Sequence, residues 1–162
     1  MKINIINRQN IRKPNNSRIK AIMNFLMAEA MPESANTCRV ELSLLLTNDE
    51  NIRKIKRHFF DIDCVTDVIS FSSQPLPSGD MRRTAELVVN VERACLEGKK
   101  RHGFDHEFAL YLAHGCDHLA GHDDRTIRER NKMRRRELLW LKKAARLRLL
   151  SGLFSPASKR NS

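Results

Sequence analysis

Residues His114 to Asp124 read HGCDHLAGHDD, and the nine residues before them, DHEFALYLA, have the character of a helix that Asp105 can cap. Because side chains four residues apart lie on one face of a helix, the imidazoles of His114 and His118 can reach a single ion. Gly121 predicts the end of this helix, since glycine readily adopts the left-handed conformation found there. The stretch therefore predicts an open site with three protein ligands, in which water completes the coordination of a metal.

Two residues after Gly121 compete for the place of the third ligand. His122 continues the four-residue spacing, but a helix that ends at the glycine loses this registry. Asp124 lies three residues beyond the glycine, where a chain that has turned back can reach the ion. Zinc suits an imidazole-rich site with one carboxylate. We expect one zinc ion per chain, bound by His114, His118 and Asp124, with His122 as the alternative third ligand.

A zinc peptidase of the H-E-x-x-H type carries a glutamate directly after the first histidine, where it acts as general base. The corresponding residue in this chain is Gly115. A peptidase built on this site would need another base, for which Asp117 and Asp67 are the candidates.

Two motifs resemble those of the YbeY family of metal-dependent endoribonucleases, which mature ribosomal RNA. The family signature H-G-x-x-H-L-x-G-x-D-H is matched by His114-Gly115, His118-Leu119, Gly121 and Asp123. Thr66 to Phe71, TDVISF, is similar to the family's T-D-V-L-S-F, and Glu86 to Val89 occupies the place of its G-D-I strand. These segments follow the family's order from about Ile3 to the helix near residues 133–139.

Four positions depart from the family pattern. Asp117 replaces a common leucine, His122 stands at a usually aromatic position, and the other two bear directly on the chemistry. Asp124 stands where the family has a third histidine ligand, six residues after the second. Phe60 stands where the family has an arginine thought to work on the RNA, and Arg57, one helical turn earlier, is its candidate substitute. We take Asp67, Asp117 and Arg57 as the candidate catalytic residues.

The resemblance implies a zinc-dependent, single-strand-specific endoribonuclease that acts in ribosomal RNA maturation, at the 16S 3′ end, and in ribosome quality control. It implies ribosomal RNA and small-subunit components as partners, and we expect neither DNA nor a membrane. A metal lowers the pKa of bound water to about 7, so either metal-bound hydroxide or a deprotonated ribose 2′-OH is the nucleophile. Two alternatives stay open: a non-enzymatic ribosome-associated RNA-binding factor with a structural metal, and a metal-dependent peptidase.

The positive charge of the chain is concentrated behind the histidine motif. The net charge is +11; residues 1–124 carry 17 basic and 17 acidic side chains, whereas residues 125–162 carry 13 basic side chains against two glutamates. Such a segment is either a solvated helix face or a phosphate-binding surface, and its contrast with the neutral remainder favours the second. Arg134, Arg135 and Arg136 are the predicted RNA-binding residues.

Length and hydrophobic periodicity predict an α+β fold: a small mixed sheet of about four strands packed with about five helices. We expect one domain over residues 1–150 and a polar, frayed tail over residues 151–162. The long basic helix should run from about Asp124 to Leu150, and the loop from Ser72 to Met81 is a candidate for substrate binding. Four scattered cysteines, no apolar signal segment and no membrane-spanning run favour a cytoplasmic protein with reduced thiols.

Overall fold

A computed structural model describes residues 1–32, 39–72 and 82–155 of the chain. It confirms the predicted α+β fold, a four-stranded mixed sheet packed with five helices. The strands are β1 (Lys2–Asn7), β2 (Arg39–Thr47), β3 (Val68–Ser72) and β4 (Arg82–Asn90). The helices are α1 (Asn16–Ala30), α2 (Asp49–Phe60), α3 (Val91–Gly98), α4 (Phe104–Leu119) and α5 (Ile127–Arg146).

The strand order across the sheet is β1-β2-β4-β3. β1, β2 and β4 are parallel, and β3 lies antiparallel to β4 at the edge, with Ile69 opposite Val88. Parallel neighbours need a crossover, which α1 supplies between β1 and β2. The backbone N–H of Asn90 donates to the carbonyl oxygen of Asp67 at 2.8 Å. The start of β3 is thereby fixed to the end of β4, the edge at which the histidine helix arrives.

The main hydrophobic core fills the space between one face of the sheet and α1, α4 and α5. α4 runs through its middle and buries Phe108 and Leu112 completely, so apolar packing surrounds most of this helix. The opposite face of the sheet carries a smaller cluster under α2, made by Ile52, Ile69 and Val88. The central position of α4 holds its C-terminal end, which bears the histidines, in one place relative to the sheet.

Two glycines allow α4 to approach its neighbours closely. A Cβ at Gly115 would lie 2.8 Å from a methyl carbon of the fully buried Leu87. A Cβ at Gly98, at the end of α3, would lie 2.8 Å from backbone atoms of Gly103 and Phe104. Gly115 is therefore part of the packing of α4 on the sheet. A glutamate at this position would push α4 or the Leu87 side chain out of place.

The cap of α4 and both ends of α5 differ from the sequence predictions. Asp105 does not cap α4, which begins one residue earlier at Phe104; its carboxylate instead accepts a hydrogen bond from the backbone N–H of Gly152 at 3.0 Å. α5 begins at Ile127, not Asp124, because Thr126 and Glu129 form a capping box there. α5 also ends at Arg146, four residues before the predicted end.

The prediction of a frayed tail is wrong for residues 151–155. Leu153 and Phe154 are buried in the main core, and Phe154 pairs with Pro14 in an isolated β-bridge. The ring of Phe154 also packs edge-to-face on Phe108 at 4.9 Å between centroids. The polar composition of this segment concealed two large apolar anchors. Residues 156–162, and residues 73–81 of the predicted substrate-binding loop, lie outside the described part of the chain.

Within the described residues, no helix has the length and apolar character needed to cross a bilayer.

Candidate metal centre

The last turns of α4 carry His114 and His118, whose side chains point to the same spot. Their Nε2 atoms lie 3.1 Å apart. α4 ends at Leu119, and Gly121 takes a φ of 90°, as predicted for a residue that reverses the chain. The returning segment brings Asp124 to the histidines, with Oδ2 at 3.7 Å from Nε2 of His114 and Oδ1 at 4.0 Å from Nε2 of His118. One ligand atom from each of the three residues lies within 4.8 Å of the others.

These separations fit a tetrahedral metal ion. Ligand atoms at 2.0–2.2 Å from zinc in tetrahedral geometry lie about 3.3–3.6 Å from one another. The two histidine nitrogens lie 3.1 Å apart, and each lies 3.7 or 4.0 Å from its nearer Asp124 oxygen, so the separations are close to that range. The donor set, two imidazoles and one carboxylate, is of the kind that binds zinc and related divalent ions and leaves a fourth position open.

The second nitrogen of each imidazole has a partner that fixes the ring. Nδ1 of His118 donates to the backbone carbonyl oxygen of His122 at 3.0 Å, and Nδ1 of His114 donates to the carboxylate of Glu137 at 2.7 Å. Because both acceptors require a proton on Nδ1, each neutral ring presents an unprotonated Nε2. Two lone pairs facing each other across 3.1 Å repel, unless a cation lies between them. The hydrogen bonding therefore prepares both histidines for a metal.

Glu137, on α5, is the buried partner of His114 and is only 2% exposed. Burial by itself lowers the pKa of His114, but the hydrogen bond and the charge of Glu137, with the charges of Asp67 and Asp124, raise that pKa above its ordinary value. Sequence reasoning missed this residue. The spacing could have indicated it: Glu137 lies in a strongly basic helix, four residues after Met133 and three before Trp140, on the face that these apolar residues bury. An acidic side chain on a buried face needs a partner.

Asp117 is fully buried and forms ion pairs with two residues outside α4, Arg136 and His122. Both of its oxygens contact the guanidinium of Arg136, at 2.9 to 3.2 Å, and Oδ1 also lies 2.8 Å from Nδ1 of His122. The His122 side chain is therefore turned toward Asp117, while its carbonyl oxygen orients His118. This cluster joins the end of α4, the returning turn and α5 into one unit.

A cleft of about 710 Å³ opens beside the histidines. Asp67 lies in its wall, with Oδ1 accepting hydrogen bonds from the Val68 backbone at 2.8 Å and from the Thr66 hydroxyl at 3.2 Å. Two of the three candidate ligands, His114 and Asp124, also line it. Four arginines contribute to the described lining: Arg93, Arg101, Arg130 and Arg134.

The other predicted site residues lie outside this lining. Arg57 is exposed on α2, and Phe60 at the end of that helix stacks on Phe71 with 5.8 Å between ring centroids. Arg135 is exposed on α5, and Arg136 is held by Asp117. Of the three predicted RNA-binding arginines, Arg134 alone is among the residues that line the cleft.

A family model described as "Endoribonuclease YbeY" matches residues 4–145, which include every residue of the site. The chain belongs to the YbeY family. An "Endoribonuclease YbeY" from Fusobacterium nucleatum is 36% identical over 100 residues, which cover 59% of this chain and 62% of that protein. One of the same name from Bacillus thuringiensis is 34% identical over 110 residues, covering 61% of this chain and 70% of that protein.

A solved structure also shares the fold of this YbeY family member. The solution structure of TM1509 from Thermotoga maritima superimposes with a TM-score of 0.60, covering 98% of this chain and 99% of that one. The sequence identity is 19%, so the likeness supports the fold alone.

Proposed function

We propose that this protein is a zinc-dependent, single-strand-specific endoribonuclease that acts in ribosomal RNA maturation, at the 16S 3′ end, in the cytoplasm. The observation that carries the proposal is the convergence of His114, His118 and Asp124 beside an arginine-lined cleft of about 710 Å³. Phosphodiester cleavage requires an activated nucleophile and positive charge near the developing oxyanion. RNA is the proposed substrate because relatives of this chain are named endoribonucleases. Ribosomal RNA and small-subunit components are proposed as partners on the motif resemblance alone.

We assign the protein residues two roles, metal ligand and general base. His114, His118 and Asp124 would hold the zinc, which when bound supplies a Lewis acid and a water of lowered pKa. Asp67, in the wall of the cleft, is the proposed general base for the attacking water or the ribose 2′-OH. We propose for Asp117 a positioning role in place of the catalytic one predicted from the sequence, because it is fully buried against Arg136 and His122. The catalytic role of Arg57 stays a prediction, which RNA cleavage by an Arg57→Ala variant would test.

The peptidase alternative would have to use Asp67 as its base, because position 115 is a glycine. The alternative, a non-enzymatic RNA-binding factor, would bind RNA but would not cleave it.

The deciding experiment is cleavage of a labelled single-stranded RNA with and without chelator, followed by zinc addition. We expect cleavage that chelator abolishes and zinc restores, and no cleavage by Asp67→Asn, which retains its metal. Glu50→Gln, an exposed acid on α2, is the control that leaves cleavage unchanged. RNA binding with no turnover in any metal would assign the protein to the non-enzymatic class.

A further inference from the structure

The cleft is not positively charged on balance, although arginines line it. Its described lining contains four guanidinium groups and five carboxylates, which give a formal charge of −1 with neutral histidines. The carboxylates are those of Asp67, Glu97, Glu107, Asp124 and Glu137. A divalent ion changes this formal charge to +1. A phosphodiester should therefore enter the cleft more readily when the ion is bound.

Three of the four cleft arginines already face a carboxylate. Arg93 contacts Asp49 at 2.7 Å. Arg101 contacts Glu107, which is 2% exposed, at 3.3 Å. Arg134 lies 3.7 Å from Glu137. Each of these charges is offset locally, so each has less attraction left for an incoming phosphate.

Arg130 differs from the other three. Within the part of the chain that the structure describes, it has no carboxylate within ion-pair distance. Among the described residues its side chain makes one hydrogen bond, from Nε to the backbone carbonyl oxygen of Asp124, at 3.3 Å. The side chain is exposed, and the two terminal nitrogens have no protein partner among the described residues. The guanidinium is thus anchored at one nitrogen beside the third metal ligand and keeps two nitrogens for another acceptor.

We propose that Arg130 is the phosphodiester-binding residue of the cleft, acting together with the bound metal ion. A guanidinium offers paired N–H donors that match two oxygens of a phosphate. Its link to the Asp124 segment holds it at a fixed place relative to the ion, so one phosphate meets both charges. The proposal rests on the RNA-cleaving function above and names the residue through which the cleft binds its substrate phosphate.

The test measures binding separately from cleavage. Binding of a 2′-O-methyl oligonucleotide, confirmed intact afterwards, is measured for zinc-loaded and chelator-treated protein over a series of salt concentrations. Arg130→Ala is compared with Arg128→Ala, which removes the same charge from an exposed site on the same turn of α5 but outside the described lining. Zinc content per chain is measured for each variant.

We expect zinc to tighten binding by wild type and by Arg128→Ala. Arg130→Ala should keep its zinc yet bind the loaded-state oligonucleotide about five- to tenfold more weakly. Its salt slope should fall by about 0.7, the value for one phosphate contact on a single strand. Arg130→Lys should restore most of the slope, because charge is kept, but less of the affinity, because the paired donors are lost.

Three results would overturn the proposal. Equal losses in Arg130→Ala and Arg128→Ala would make the effect one of general charge. Loss of zinc in Arg130→Ala would show that the residue only holds the Asp124 segment. Failure of Arg130→Lys to improve on alanine would exclude the charge as the cause. If zinc-loaded wild type binds the oligonucleotide but leaves unmodified RNA intact, the proposed function fails while this binding site stands.

Discussion

His114 and Glu137 form the hydrogen bond that ties the candidate metal centre to the basic helix, with 2.7 Å between Nδ1 and Oε1. Glu137 is 2% exposed, so the bond is shielded from solvent. It determines which nitrogen of His114 is protonated and holds the plane of the ring. α5 is therefore a structural part of the site and not merely a charged surface beside it.

Replacing Glu137 by glutamine should weaken zinc binding about 10- to 100-fold, although Glu137 does not touch the ion. Glutamine keeps the shape but removes the charge that favours a proton on Nδ1. Competition with a chelating dye measures this affinity. Glu50→Gln, at an exposed acid on α2, is the matched control and should bind zinc like wild type. Equal affinities for Glu137→Gln and wild type would show that the hydrogen bond does not tune the ligand.

The pKa of His114 in metal-free protein should lie above its ordinary value of 6.5. Burial opposes this shift, but Glu137, Asp67 and Asp124 outweigh it. Since the folded pKa exceeds the unfolded one, His114 contributes stability that is fully present below about pH 6.5 and is lost as pH rises through the folded pKa. NMR titration of the imidazole in chelated protein measures the pKa, and melting curves across that window measure the stability. A His114 pKa at or below 6.5 would contradict the prediction.

Removing Arg134 and removing Arg136 should have different consequences, although both belong to the same predicted RNA-binding group. Arg136 makes a two-pronged ion pair with the fully buried Asp117, so Arg136→Ala leaves a buried carboxylate with His122 alone. We expect a loss of up to about 3 kcal/mol in unfolding free energy. Arg134→Ala should leave stability within about 0.5 kcal/mol of wild type, because its side chain is exposed. Urea denaturation of the metal-free proteins gives both values, and similar losses would argue against the buried role of Arg136.

The sequence allowed prediction of the local elements of the site, because they depend on short-range rules. The four-residue spacing of His114 and His118 and the turn at Gly121 follow from helix geometry and glycine conformation. Contacts between distant segments were not predictable in the same way. The bond from Glu137 to His114 and the pair of Asp117 with Arg136 join α5 to α4, and no local pattern specifies that docking. Short-range propensity also misjudged residues 151–155, whose packing depends on Leu153 and Phe154 meeting a core formed elsewhere.

Alanine at Gly98 should destabilise the fold more than alanine at Gly115. The added Cβ at Gly98 meets backbone atoms of Gly103 and Phe104, which move only if α3 and α4 separate. At Gly115 it meets the end of the Leu87 side chain, and the higher helix propensity of alanine offsets part of the strain. We expect losses of about 3 kcal/mol for Gly98→Ala and about 1 kcal/mol for Gly115→Ala. Chemical denaturation of both variants tests the order, and a greater loss at Gly115 would reverse the argument.

Asp124→Ala should lose both zinc and RNA cleavage, whereas His122→Ala should retain zinc. The reason is the direction of the two side chains after the turn at Gly121. The carboxylate of Asp124 faces the histidine nitrogens at 3.7 and 4.0 Å, while Nδ1 of His122 lies 2.8 Å from Asp117. The carbonyl oxygen of His122 accepts the hydrogen bond that orients His118, and an alanine at this position keeps that carbonyl.

Asp124→His is the informative companion to these two variants. A histidine at this position offers a neutral nitrogen in place of a carboxylate, so zinc binding should be restored relative to alanine. The bound water should also become more acidic, because the ligand set loses a negative charge. Zinc content by elemental analysis and the pH profile of RNA cleavage measure the two effects. If His122→Ala loses zinc while Asp124→Ala keeps it, the third ligand is His122, and the segment after Gly121 turns differently in the metal-bound protein.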